Sequence, residues 1–393
     1  MILTNARLVG ADGIRVGWLE IEGSRVVAAG DGRPVVGAGG GVVAGGQGRP
    51  IGTGSDSRTE GVDLGGRYVA PGFVDMHVHG GGGASFVDDP QTAVDFHRRH
   101  GTTTCLASLV TGAVPEMAKQ IAALVPLVDD GRLAGVHLEG PFLAAARCGA
   151  HDPSLLRPPS PGDVATLLDA GAGAVRMVTI APELPGALEA IRRIVDGSAV
   201  AALGHTDATY DQARAALDAG ATVGTHLFNA MRPLHHREPG VITALLDSDV
   251  TVELVADNVH VHPALVAWVM RAAAPARVAL ITDAIAAAGA GDGEYRLGGL
   301  DVTVREGVAR LAGGGAIAGS TLTQDVALRN AVAAGVPLVD AVAALTSVPA
   351  RALGLSAGSL EVGSPADLVL LDDDLVVAAV MARGTWIAQH LAA

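Results

Sequence analysis

The sequence predicts an α/β fold: a (β/α)8 TIM-like barrel with a small β-sandwich domain built from both termini. Three observations predict it. Between residues 71 and 285, eight short β-rich runs alternate with seven helical ones; parallel strands need such crossovers, and eight units are the number that closes a barrel. Both chain ends instead read as short strands punctuated by turn residues. Acid and imidazole side chains fall at the ends of the barrel runs, where barrel enzymes carry their chemistry.

In chain order, "ILTNARLVG" and "GWLEIEGSRVVAAG" open the β domain, whose N-terminal part is taken as residues 1–70. Residues 30–66 within it are Gly-rich and read as a loop or insertion. There "GGGVVA" (Gly39, Gly41, Ala44) formally fits a dinucleotide fingerprint, but no amphipathic helix follows to receive a phosphate. The barrel is taken as residues 71–345. Its strands are read in "FVDMHVH", "TTTCLASLV", "LAGVHLEGP", "VRMVTIAPE", "AVAALGHTDA", "TVGTHLFNAM", "VTVELVADNVH" and "RVALITDAI". Between them lie helical patterns such as "VPEMAKQIAALVPLV" and "YDQARAALDAG". A hairpin, "YRLGGLDVTVREGVARL", and a helix, "TQDVALRNAVAAG", follow the eighth strand. Residues 346–393 return to the β domain through "ADLVLLDDDLVVAAVMARGTWI".

At 393 residues and 49% hydrophobic content, the chain can bury a large core, yet aromatics make up only 3%. Small aliphatic side chains must build the interior. A net charge of -14 disfavours nucleic acid and anionic membranes as partners, and leaves room for a local cationic pocket. The start lacks a basic n-region with a long apolar run, and no run is long enough to span a bilayer, so a cytoplasmic location is expected. Two cysteines, Cys105 and Cys148, are too few for a disulfide scaffold. The single lysine, Lys119, lies in a helical pattern. That excludes a P-loop lysine, a Schiff-base lysine and a carbamylated lysine bridging two metals.

Strand residues i and i+2 share a face, so His77 and His79 point together, with Asp75 on the same parity. Glu139 ends the third strand, His205 the fifth, His226 the sixth and Asp283 the eighth, while His260 follows the seventh. A lone histidine in a barrel is usually a hydrogen-bonded core residue. Four histidines with a carboxylate are costly to desolvate unless something satisfies them together. A divalent metal does so; nitrogen and oxygen donors suit zinc, with iron or manganese as alternatives. In the absence of a lysine, Glu139 is the candidate bridge between two ions. His97 and His100 are expected on a helix surface and His390 in the tail, without roles.

The motifs "PGFVDMHVHG", "HLEGPFL", "GHTDAT", "THLFNAM" followed by "REPG", "DNVHVHP", "LITDAI" and "AGSTLTQD" together resemble the N-acetylglucosamine-6-phosphate deacetylases of the amidohydrolase superfamily. The resemblance spans the chain apart from residues 30–66. His-x-His is common among amidohydrolases; "HLEGP", "THLFNAM" and "REPG" are far more specific. It implies that Glu139, His205 and His226 hold the principal metal, and that His77 and His79 hold a second with Glu139. One or two ions per subunit follow, and the presence of both histidines predicts two. Asp283 matches the catalytic aspartate and His260 the histidine at the substrate carbonyl. Asn229, the backbone at Ala230, and Arg237 match groups around the sugar phosphate; His151 matches a sugar-contacting loop histidine, and Leu322, in "AGSTLTQD", joins the substrate-binding set. Cys148 departs from the lysine that relatives often carry before "GAH" and is read as a free thiol.

The implied reaction is metal-assisted hydrolysis of the acetamide of N-acetyl-D-glucosamine 6-phosphate, in amino-sugar catabolism. Asp283 is expected to act as base and then acid, His260 to stabilise the oxyanion, and Arg237 to pair with the phosphate. A homodimer is expected, because in this family a neighbouring subunit can complete the phosphate site. The rivals are a deacetylase for a related amino-sugar phosphate, another amidohydrolase such as a cyclic-amide hydrolase or deaminase, and a non-catalytic metal-bound scaffold. Cyclic-amide hydrolases often use a bridging lysine, and a scaffold has no need of Asp283.

Overall fold

The computed structural model describes residues 1–36, 42–43 and 61–389. Gly39, Gly41, Ala44 and most of the Gly-rich segment lie outside them, as does His390.

Eight parallel strands form one sheet in sequential order: β1 (Phe73–Asp75), β2 (Thr102–Val110), β3 (Gly135–Glu139), β4 (Val175–Ile180), β5 (Val200–Leu203), β6 (Val223–Gly224), β7 (Thr251–Val255) and β8 (Val278–Ile281). Seven helices make the crossovers: α1 (Pro90–Arg99), α2 (Val114–Asp129), α3 (Pro161–Ala170), α4 (Ala187–Asp196), α5 (Tyr210–Asp218), α6 (Gly240–Leu246) and α7 (Pro263–Ala272). Helix starts follow local chemistry. Asp89 and Ser160 accept from the third backbone N–H beyond them, with proline next in line, and Thr209 forms a reciprocal capping box with Gln212. Helices cover the outer face of the strands and side chains fill the inner one, so the strands are buried almost throughout and read as continuous apolar runs.

No strand ladder joins β8 to β1; the ring closes just beyond their ends. The Asp283 N–H donates to the His77 carbonyl at 2.9 Å, and those of His79 and Gly80 donate to the Ala284 carbonyl at 2.8 and 3.0 Å. One level down, Asp75 accepts from the Thr282 hydroxyl at 2.6 Å and its backbone N–H at 3.3 Å. Its carboxylate is therefore part of the barrel seam and sits beneath the histidines with which it shares parity.

The glycines after His79 have local reasons. A Cβ on Gly81 would meet the Phe96 ring at 2.4 Å and His97 Nε2 at 2.7 Å, and Gly83 has φ of +92°. Helix α1 thus lies directly on this turn, and His97 Nε2 donates to the Gly80 carbonyl at 2.9 Å. This corrects the expectation that His97 lies on a helix surface: it is buried, and burial holds its ring neutral by lowering it to about 4. His100 caps the same helix, half-buried, with Nδ1 3.1 Å from Asp325.

Beyond β8 the expected hairpin is a three-stranded antiparallel meander, Gly293–Leu297, Leu300–Arg305 and Val308–Leu311. Its apolar face packs on Ala150 and Ile285, next to the loops that form the barrel mouth. Helices α8 (Gln324–Ala333), α9 (Leu338–Leu345) and α10 (Ser347–Ala352) return along the barrel. Val348 and Leu353 are buried in the same apolar cluster as the barrel strands.

Both termini contribute to one further eight-stranded sheet, with Leu368–Leu371 pairing antiparallel to Tyr68–Pro71. Alternation explains its fit. Leu368 and Leu370 join Leu3, Leu8 and Leu19 in the domain's own core, while Val369 and Leu371 face the barrel with Val9 and Ala70. Period two accordingly gives these strands one face for their own core and one for the barrel. Among the described residues no helix is long and apolar enough to cross a membrane.

Candidate active site

His205, His226 and Asp283 each stand two residues past a barrel strand and carry positive φ, at 47°, 27° and 50°. Left-handed backbone at non-glycine residues costs roughly 1–3 kcal/mol and persists where surroundings overdetermine it. Backbone bonds supply that determination: the His226 N–H donates to Glu253, and the His205 carbonyl accepts from the Ala144 N–H. The chain bends over the barrel mouth at each point, which brings the three side chains to one centre.

Glu139 is that centre. Its Oε1 is 3.0 Å from His205 Nε2 and 2.9 Å from His226 Nε2, and its Oε2 is 3.2 Å from His79 Nε2 and 3.4 Å from His151 Nε2. Asp283 Oδ1 approaches His79 Nε2 at 3.1 Å and His77 Nε2 at 3.5 Å. The His77 and His79 Nε2 atoms are 3.2 Å apart, and those of His205 and His226 are 3.1 Å apart. All are buried.

The outward nitrogens decide the electrostatics. His79 Nδ1 faces the Ser108 carbonyl at 3.1 Å, His205 Nδ1 the Arg147 carbonyl at 2.9 Å, and His77 Nδ1 the Glu253 carboxylate at 3.1 Å. Each partner is an acceptor, so each Nδ1 carries the proton and a neutral ring presents a bare lone pair at Nε2. Lone pairs then face other lone pairs and two carboxylates, which repel unless positive charge lies among them. Burial opposes a charged His79 ring, yet its bonds to Asp283 and Glu139 raise it to about 9. Burial likewise opposes charge on Glu139, but His77 and His151 hold its carboxyl well below the usual range. Positive charge, as ring protons or as an ion, relieves this field, and the donor set fits a divalent metal. Two groups, His77–His79–Glu139 and Glu139–His151–His205, have donor atoms within 4.8 Å of one another.

The other sequence candidates fall around this centre. His260 is half-buried, its Nδ1 2.7 Å from Asp257; burial opposes its charge, but Asp257 and then Asp283 raise it. Asn229 donates to the carbonyls of His226 and Leu227 at 3.3 Å, and Ala230, at φ of 50°, accepts from the Thr206 N–H. Leu322 is buried beside Ser320. Arg237 is not brought into the centre: it is exposed, with its guanidinium 2.9 Å from His236. His151, expected at the sugar, lies against Glu139 and edge-on to His205. Cys148 is half-buried, and Cys105 is buried, its thiol pushed up to about 12 by burial and so unreactive.

Sequence reasoning missed two buried groups. Glu253 lies within β7, under His77. His137 lies two residues before Glu139, its ring 4.5 Å from that of His77 and its nitrogens bonded to Ser108 and Thr179. Period-two counting back from Glu139 finds His137; an ionisable residue inside an apolar run, "TVELVA", is the signal for Glu253.

A barrel mouth with carboxylates and imidazoles gathered in this way defines a metal-dependent hydrolase. Residues 68–387 match the amidohydrolase family, and the chain belongs to it. The chain is 39% identical over 328 residues to N-acetylgalactosamine-6-phosphate deacetylase of Escherichia coli O157:H7, covering 80% of this chain and 86% of that one. It is 37% identical over 354 residues to the human N-acetylglucosamine-6-phosphate deacetylase, covering 84% and 86%. Among solved structures, a D267A mutant of N-acetyl-D-glucosamine-6-phosphate deacetylase from Mycobacterium smegmatis, in complex with N-acetyl-D-glucosamine-6-phosphate, superposes with a TM-score of 0.90 at 49% identity, covering 99% of each chain.

Proposed function

We propose that this chain hydrolyses the acetamide of N-acetyl-D-glucosamine 6-phosphate, giving D-glucosamine 6-phosphate and acetate. One observation carries the reading: four inward-turned imidazoles and Glu139 meet beside Asp283 as a donor set that fits a divalent metal. The M. smegmatis structure, solved with that sugar phosphate, supports the substrate. Glu139, His205 and His226 are proposed to hold the principal ion and His77 and His79 a second with Glu139, zinc being favoured by the nitrogen-rich donors and iron or manganese being the alternatives. A divalent cation bound there polarises the amide carbonyl and lowers the pKa of water from about 15.7 to about 7.

The chain's own groups do the rest. Asp283 accepts the proton of the attacking water and then delivers it to the departing nitrogen, which otherwise leaves poorly. Asp257 favours the protonated His260 ring, and from Nε2 that ring would donate to the oxyanion, a contribution of about 3–4 kcal/mol. Arg237 takes the phosphate through its planar fork. Its exposure supports a phosphate site that a second copy of the chain completes in a homodimer. A cytoplasmic location belongs to the same reading.

The test is Asp283→Asn. We expect bound metal to be retained and acetate release to fall by about 10²–10⁴-fold; unimpaired turnover would refute the assignment. The E. coli relative is named for the galactose epimer, so both sugar phosphates belong in the assay, with the larger kcat/KM naming the substrate.

A further inference from the structure

Glu253 is fully buried in the middle of an apolar strand, where a valine or leucine would pack without electrostatic cost. Its Oε2 takes two donors, His77 Nδ1–H at 3.1 Å and the His226 backbone N–H at 3.2 Å, while its Oε1 has no partner. An anion buried with one oxygen unpaired is expensive. Neither donor is a guanidinium or ammonium, and among the described residues no other hydrogen bond or ion pair reaches the carboxylate. Charge compensation must therefore reach it through the His77 ring.

We infer that Glu253 is a positioning residue for the metal centre: it holds the His77 Nδ1–H so that the opposite nitrogen faces the His79–Glu139 side as a strong donor. The inference rests on the metal-centre reading above and extends it to a residue that touches neither substrate nor ion. Two features favour this role over plain packing. The carboxylate meets the ring end-on, at the nitrogen that selects which tautomer is present. The same oxygen also ties down the His226 backbone at its positive φ, so one group braces a histidine from each proposed ion site. The backbone contact survives replacement of the carboxylate by an amide, because the amide oxygen still accepts. The charge does not survive, which separates the two contributions and places the larger loss on the His77 side.

The experiment compares the parent protein with Glu253→Gln, Glu253→Ala and, as the reference for loss of that site, His77→Asn. Zinc per chain is measured after dialysis by mass spectrometry. Affinity for each ion is read by cobalt(II) titration of the visible absorption, with far-UV circular dichroism reporting the fold. We expect the parent to hold two ions, Glu253→Gln to lose about tenfold and Glu253→Ala about a hundredfold in affinity for the second, and the first to stay bound. If the alanine variant does not fold, the glutamine variant decides: a tenfold loss supports the role and no loss overturns it. Variants that keep both ions within threefold of the parent overturn the inference and leave the metal centre standing. A parent that holds fewer than two ions removes the second-site reading itself, and the inference with it.

Discussion

His77 and His79 stand one residue apart, and their rings have different anchors: a carboxylate on β7 for one and a carbonyl on β2 for the other. Their place just past a barrel strand was legible from the apolar run, although β1 stops at Asp75 and its period of two does not reach them. So were Glu139, His205, His226 and Asp283. Arg237 sits at the limit of legibility: the "REPG" motif marks it, yet in a single chain it is exposed on the rim. Its proposed role makes a sharp prediction. Arg237→Ala should raise KM for the phosphorylated sugar by 10-fold or more, about the 1.4 kcal/mol or greater that a charge-assisted pair contributes, and change kcat/KM for plain N-acetylglucosamine little. Equal effects on both sugars place phosphate recognition elsewhere.

Strands and helices from β1 to β8 come in the predicted order, since each crossover is written in its own apolar period, but β1 stops at Asp75 and β6 holds only Val223 and Gly224. What escaped was how elements dock. Helix α1 reads as amphipathic with His97 outside, but the side-chain-free turn at Gly80 and Gly81 lets the helix come close enough to bury that ring. The consequence is measurable. His97 titrates at about 4 in the folded chain because burial disfavours the charged ring, against 6.5 when unfolded. Between those values the unfolded chain binds one proton more. Stability from this group is therefore complete above pH 6.5 and is lost as pH falls through about 4. His97→Gln keeps an N–H toward Gly80 and does not titrate. Urea unfolding from pH 7 to 4 should show the parent losing on the order of 2–3 kcal/mol relative to the variant; a difference that is flat across that window refutes the assignment.

At the scale of the whole molecule, two apolar cores meet across one sheet: the barrel's and that of the terminal β domain, joined by strands that give alternate residues to each. The barrel seam closes through Asp75 and Thr282, 207 residues apart in sequence. The mouth gathers imidazoles and carboxylates into one buried donor set, so a metal bound there should be felt globally when it is removed. At a thousandfold excess over Kd a bound ion contributes about 4 kcal/mol to stability. Stripping the parent with a chelator should accordingly lower Tm by several degrees, and readdition should restore it. Glu139→Gln, which removes the shared ligand, should show little response to either step. A parent whose Tm ignores the chelator contradicts the metal centre.

By itself the sequence determined the barrel, the terminal β domain and the groups at the strand ends, because side-chain period, turn chemistry and motif spacing act over a few residues. The tertiary structure alone decided which buried polar groups stand behind them: Glu253 under His77, His137 beneath Glu139, Asp75 in the seam, His97 under the glycine turn. Those are hydrogen bonds between residues that the chain brings together from separate elements. Which nitrogen of a ring is committed, and so which one is left to face the centre, depends on partners that no local pattern names.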